Sequence, residues 1–108
     1  MTNTCLSYDD VLLEPQYSDI RSRVEIDIST DLGKDLRLHL PIISSPMDTI
    51  SETQMAIALS QEGAMSVIHR YNTIAQQARL VSMAKDLSAT EKIKTGAAIG
   101  ITGDYLER

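Results

Sequence analysis

The 108-residue chain carries 10 Lys and Arg against 15 Asp and Glu, a formal net charge of −5, with 43% hydrophobic and 23% charged residues, as ordinary globular domains do. It has no Trp or Phe and only four Tyr, so the core is expected to be aliphatic, and the chain lacks the aromatic platforms and basic surface that nucleic-acid binding uses. Residues 1–10 have neither a basic region nor an apolar one, no apolar run approaches membrane-spanning length, and Cys5 is the single cysteine; no secretory leader, transmembrane helix, internal disulfide or multi-cysteine metal site is expected, and the location follows as cytoplasmic.

Residues 1–23 read as an extended lead-in containing Val11-Leu12-Leu13 and Pro15. Cys5 lies there beside acidic neighbours, which disfavour a thiolate, so it reads as an unreactive thiol. Val24, Ile26 and Ile28 then alternate with polar residues, as do Leu36, Leu38 and Leu40, on either side of Leu32-Gly33-Lys34-Asp35. This period of two predicts an antiparallel hairpin over about 24–40 with His39 on its solvated face. At Leu40 the period changes. Pro41-Ile42-Ile43 is a continuous apolar run, the pattern of a strand covered on both faces. Ser51 and Gln54 have capping-box spacing ahead of a helix through Met55–Leu59 that stops at Gly63. Ala64–Ile68 predicts a second strand, and Thr73 with Gln76 repeats the capping box before a helix ending near Asp86. Its stripe is Ile74, Gln77, Ala78, Leu80, Val81 and Ala84. Lys85–Lys94 reads as a surface connection, and Gly96–Ile101 as a third strand leading into a third helix at Arg108.

A hairpin followed by βαβαβ over about 41–101 predicts parallel pairing with right-handed crossovers. A (β/α)8 barrel needs about 250 residues, so the chain supplies at most three of its strands. Residues 1–108 are therefore expected to be the N-terminal part of a single domain, apparently truncated; the alternative is three parallel strands with an open edge.

Parallel pairing places Ser44–Asp48, His69-Arg70 and Ile101–Asp104 on one rim, beyond the carboxyl ends of the strands, where such folds bind ligands. Two serines, a histidine, an arginine and helix amino termini suit a phosphate-bearing small molecule. Taken singly, Ser44 and Ser45 read equally well as loop serines, Met47 as a gap filler, His69 as a core histidine, Arg70 as a partner of a nearby carboxylate, and Asp48 and Asp104 as turn and first-turn residues. Asp9 and Asp10 are adjacent on an extended segment and point apart, against shared acid–base work. There is no glycine-rich dinucleotide fingerprint, phosphate loop or set of residues with metal-ligand spacing.

Five segments, in order, resemble the IMP dehydrogenase/GMP reductase family: Leu6–Pro15, Leu40–Thr49, Ala64–Arg70, Thr73–Gln77 and Gly96–Gly100. The resemblance covers nearly the whole chain and implies a (β/α)8 TIM-barrel fold of which this is the N-terminal portion. It implies an oxidoreductase that oxidises IMP to XMP with NAD, or alternatively a GMP reductase that uses NADPH, often as a homotetramer and with a monovalent cation such as potassium that has no ligands here. By position, Ser45 and Met47 would bind the purine mononucleotide, while His69, Arg70 and Thr102 would lie towards the cofactor. The nucleophilic cysteine is expected downstream, and Cys5 is not its counterpart. No regulatory insert stands between the second helix and third strand, and Arg21–Asp27 is similar to the reductases, whereas Ser44–Thr49 leans towards the dehydrogenases. The dehydrogenase reading is preferred because the resemblance implies that Ser44–Thr49 touches substrate and Arg21–Asp27 does not. A further reading is a non-catalytic nucleotide-binding or self-associating fragment, and the 108 residues alone are expected to be inactive.

Overall fold

The computed structural model of the chain describes residues 4–87 and 93–108. Residues 4–28 form an exposed arm with single 3-10 turns at Tyr8–Asp10 and Arg23–Glu25. Two short strands follow, β1 (Thr30–Asp31) and β2 (Arg37–Leu38), paired antiparallel with Thr30 opposite Leu38. Gly33, at φ +88°, opens the turn between them.

The alternation at Val24, Ile26 and Ile28 predicts a longer first strand than forms. Val24 is 93% exposed within a 3-10 turn, and the reason lies in local side-chain bonds that compete with a ladder. The Ser22 hydroxyl accepts from the Val24 amide at 3.3 Å, and Asp27 Oδ1 accepts from the Ser29 amide at 2.9 Å. Arg37 then reaches across to Asp27 at 2.9 Å and to the Ser29 hydroxyl at 2.6 Å, binding the segment by side chains instead of by backbone pairing.

A parallel sheet begins at β3 (Ile43–Ser44) and continues through β4 (Met65–Ile68) to β5 (Thr95–Ala97), in the order β3-β4-β5. Ile43 pairs with Met65 and Ile68 with Ala97. Two helices, α1 (Thr53–Gln61) and α2 (Ile74–Asp86), connect the strands. They touch each other where the Thr53 hydroxyl donates to the Leu80 carbonyl at 3.0 Å. The core is small: Leu38, Ala56, Ala64, Ile68 and Ala84 are buried. Ile42 and Ile43, expected to be covered on both faces, are about half exposed because β3 is an edge of the sheet and only one face meets a helix layer among the described residues.

Gly63 ends α1 in the left-handed region at φ +76°. A side chain there would meet His39 Cβ at 2.8 Å, and the Gly63 carbonyl accepts from the amides of His39 and Leu40 at 2.9 and 3.2 Å. The hairpin is thereby seated on the turn that feeds β4. Thr73 and Gln76 close a capping box at α2, with the Gln76 amide 3.2 Å from the Thr73 hydroxyl and the Thr73 amide 3.0 Å from Gln76 Oε1. The parallel expectation for Ser51 and Gln54 fails. Glu52 occupies the N-cap of α1 without a side-chain cap, because the Ser51 hydroxyl is turned into the sheet edge and bonded there. The third strand is shorter than Gly96–Ile101, ending at Ala97 with one further bond from the Ala98 amide to the Ile68 carbonyl at 2.9 Å. Much of the Lys85–Lys94 connection lies outside the described residues.

Candidate functional site

β3, β4 and β5 run the same way, so the chain leaves all three at one edge, with neighbouring loops about 5 Å apart in the strand-pairing direction. At β3 the Ser44 hydroxyl lies 2.7 Å from the Ser51 hydroxyl and 2.8 Å from that of Ser66. Ser51 donates its single proton to the Ser45 carbonyl. It must therefore accept from Ser44, and Ser44 from Ser66, which gives a one-way relay of hydroxyls from the middle of β4 into the loop. Ser51 and Ser66 are fully buried. The Met47 carbonyl accepts from the amides of Ile50 and Ser51 at 3.1 and 2.8 Å, and the Ser45 carbonyl from the Met47 amide at 2.8 Å. Backbone and hydroxyls thus fix the loop from within, leaving the side chains of Ser45 and Met47 exposed on the rim.

At the end of β4, His69 is 3% exposed and turned inward. Its Nδ1 accepts from the Tyr71 amide at 3.2 Å, which puts the ring proton on Nε2, facing Glu52 Oε1 at 3.2 Å. The ring also stacks on Tyr71 with centroids 6.2 Å apart. Both nitrogens are occupied in shaping the loop that carries Arg70. The His69 amide reaches the Ser51 carbonyl at 3.4 Å, so the β3 and β4 loops are joined.

Arg70 is exposed and its guanidinium rests on Gly100 beyond β5. A Cβ at position 100 would lie 2.8 Å from Arg70 Nη1 and 3.3 Å from the Thr102 carbonyl oxygen. The structure therefore brings Arg70 and the Gly100–Thr102 segment together directly, while Ser45 and Met47 join them through the shared edge. Asp104 completes the group: its carboxyl is held below the usual carboxylate value of 3.8, first by its hydrogen bond from Arg108 and also by the charges of Arg108 and Arg70.

Beside α2, between it and the loops that follow β3 and β4, a groove of about 530 Å³ is lined by Asp48, Glu52, His69, Tyr71, Asn72, Gln76 and Arg79 among others. A second, of about 480 Å³, adjoins it along α1. Asp48 and His69 bring the rim to the edge of the first groove, while Ser45, Met47, Arg70 and Thr102 line neither. No group of His, Cys, Asp and Glu that could hold a metal ion is present among them. Cys5 is a free thiol on the exposed arm.

Sequence reasoning missed Glu52, Ser66, Gln77 and Arg108 as parts of this edge. Only Gln77 carried a usable signal, being a polar residue inside an otherwise apolar helical stripe, where burial demands hydrogen-bond partners.

An α/β segment with its polar loops gathered at the carboxyl edge of a parallel sheet is the kind of unit from which nucleotide-handling α/β enzymes are assembled. Residues 5–108 match the profile of the IMP dehydrogenase / GMP reductase domain, and the chain belongs to that family. It is 48% identical to an inosine-5'-monophosphate dehydrogenase of Aquifex aeolicus and 44% identical to one of Nitrosopumilus maritimus, each over 80 residues, or 74% of this chain. It is 41% identical over the same length to a GMP reductase of Leishmania donovani. The aligned segment spans only 16–17% of these relatives, whose names are those of oxidoreductases. Among the described residues, no helix is long and apolar enough to cross a membrane.

Proposed function

We propose that this segment supplies part of the nucleotide- and cofactor-binding rim of a purine-nucleotide oxidoreductase of the IMP dehydrogenase type, which converts IMP, NAD and water to XMP and NADH. The observation that carries the reading is the Ser45–Met47 loop, fixed from below by the serine relay and by Met47's own carbonyl while both side chains stay outward. A loop held in this way presents its side chains without having to become ordered on binding, as a preorganised site requires. Ser45 and Met47 are assigned to the purine nucleotide. Arg70 and Thr102 are assigned to the cofactor side, with His69 holding their loop.

The exposed Arg70 guanidinium on a side-chain-free Gly100 suits a phosphate-bearing dinucleotide, because a planar cation beside open backbone accepts a diphosphate without steric conflict. NAD, when bound, would supply the hydride acceptor. The residues of this segment bind and orient, which shortens the approach of the reacting groups without chemistry of their own. Cys5, a free thiol on the exposed arm, is assigned no catalytic role, and the 108 residues alone are proposed to be inactive. A cytoplasmic homo-oligomer is the setting this reading implies.

The GMP reductase reading, with NADPH as cofactor, is favoured by one observation, the 41% identity to reductases. A single assay separates the two. With the full-length protein, IMP and NAD should raise absorbance at the reduced-nicotinamide band; a fall with GMP and NADPH, and no change with IMP and NAD, would assign the reductase instead.

A further inference from the structure

We infer that Gln77, together with Arg108, is the positioning device for the cofactor side of the rim, holding Arg70 and Thr102 without touching ligand itself. The inference rests on the assignment of Arg70 and Thr102 to the cofactor, and it concerns residues that the fold alone would class as helix packing.

Gln77 is 4% exposed on α2. Its Nε2 donates to three carbonyls, those of Ile68 at 3.4 Å, His69 at 3.0 Å and Ala98 at 2.9 Å. Its Oε1 accepts from Arg108 Nη1 at 3.0 Å. The amide orientation is therefore fixed, since the reverse would set oxygen against three carbonyl oxygens and nitrogen against a guanidinium. Arg108, its side chain 8% exposed, extends the grip: Nη2 donates to the Asn72 carbonyl at 2.8 Å, and Nε to Asp104 Oδ2 at 3.0 Å.

The clamped positions bracket the candidate residues. Arg70 lies between His69 and Asn72, both held, and Thr102 between Ala98 and Asp104, both held. One buried amide and one buried guanidinium thus fix both ends of two loops that leave adjacent strands. The Ser45–Met47 loop receives no bond from this network, because it is fixed by Ser44, Ser51 and Ser66. The two halves of the rim are consequently held by different side chains and meet only at the bond from the His69 amide to the Ser51 carbonyl at 3.4 Å, so loss of Gln77 should loosen the cofactor side far more than the Ser45–Met47 loop.

The test uses the full-length protein with Gln77→Met, which keeps side-chain length and removes every polar contact. The expected result is a rise in cofactor KM of about tenfold with the nucleotide Kd unchanged. Hydrogen exchange should quicken at residues 70–72 and 100–104 but not at 45–51. Arg108→Lys, which keeps the charge but loses the fork, should move both readouts the same way by less, and it decides the matter alone if Gln77→Met does not fold. A nucleotide Kd that rises in step with cofactor KM, or exchange that quickens throughout the sheet, would reduce Gln77 to a packing residue and overturn the inference. Arg70→Ala and Thr102→Ala separate the two levels. If they raise cofactor KM while Gln77→Met does not, the inference alone fails; if neither raises it, the assignment of the cofactor side fails and the inference with it.

Discussion

Gly100 illustrates how a single missing side chain shapes the site. A Cβ would press on Arg70 Nη1 at 2.8 Å, and Nη1 is the free end of a flexible side chain, so the guanidinium would swing away without unfolding the backbone. Gly100→Ala is therefore expected to weaken cofactor binding in the full-length protein while leaving the melting temperature nearly unchanged; a large loss of thermal stability with binding intact would show that the glycine serves the fold. The carboxylates act by charge. Asp10, Asp27 and Asp104 are all held below 3.8, chiefly by hydrogen bonds from Ser7, Ser29 and Arg108 respectively. A carboxyl that titrates lower when folded contributes stability that is fully present above its unfolded value and is lost as pH falls through the folded one. Unfolding measured against pH should thus show stability flat above about pH 5 and declining below 3.8, and Asp104→Asn should shallow that decline. Asp10 and Asp27 are exposed and Asp104 is only partly covered, so each effect is small beside that of core packing.

At the scale of elements, α2 depends on its amino terminus. The reciprocal bonds of Thr73 and Gln76 satisfy amides that would otherwise face solvent, and Thr73→Ala should cost about 1 kcal/mol in a denaturant titration. A cost near zero would show that packing on β4 alone fixes the start of the helix. This box was legible because both partners lie within one turn, so spacing alone specifies the contact. Ser51 and Gln54 have the same spacing and do not form it, since the Ser51 hydroxyl is taken by Ser44 and the Ser45 carbonyl. Local pattern cannot reveal such a competitor, which arrives from β3. The parallel order of β3, β4 and β5 was legible for a related reason, because apolar runs separated by helix-length segments leave few other arrangements. The first strand was not, as alternation at Val24, Ile26 and Ile28 states which face is apolar but not whether a partner lies beside it.

Across the whole molecule, the radius of gyration is 17.9 Å, against roughly 13 Å for a compact chain of this size. The difference comes from the arm, where Leu12 and Leu13 are each 98% exposed, and from the open sheet, beyond which Ile101 is 91% exposed. Apolar surface on that scale belongs against other protein surface, and the aligned relatives are about six times longer than the segment they share with this chain. The rim was legible at this scale before any contact was known, because strand direction alone gathers Ser45, Met47, Arg70 and Thr102 at one edge. Its supports were not: Ser66, Gln77 and Arg108 act through bonds between residues 21 to 36 positions apart, which no periodicity encodes.

The central claim is that the loop after β3 binds a purine nucleotide through Ser45 and Met47. Calorimetric titration of the full-length protein with IMP tests it most directly, comparing the unmodified chain with Ser45→Ala and Met47→Ala. The account predicts weaker binding by both, with Ser45→Ala costing roughly 1.5–3 kcal/mol if its hydroxyl meets an ionised group and with the melting temperature of the free protein retained. Unchanged affinity in both variants would contradict it.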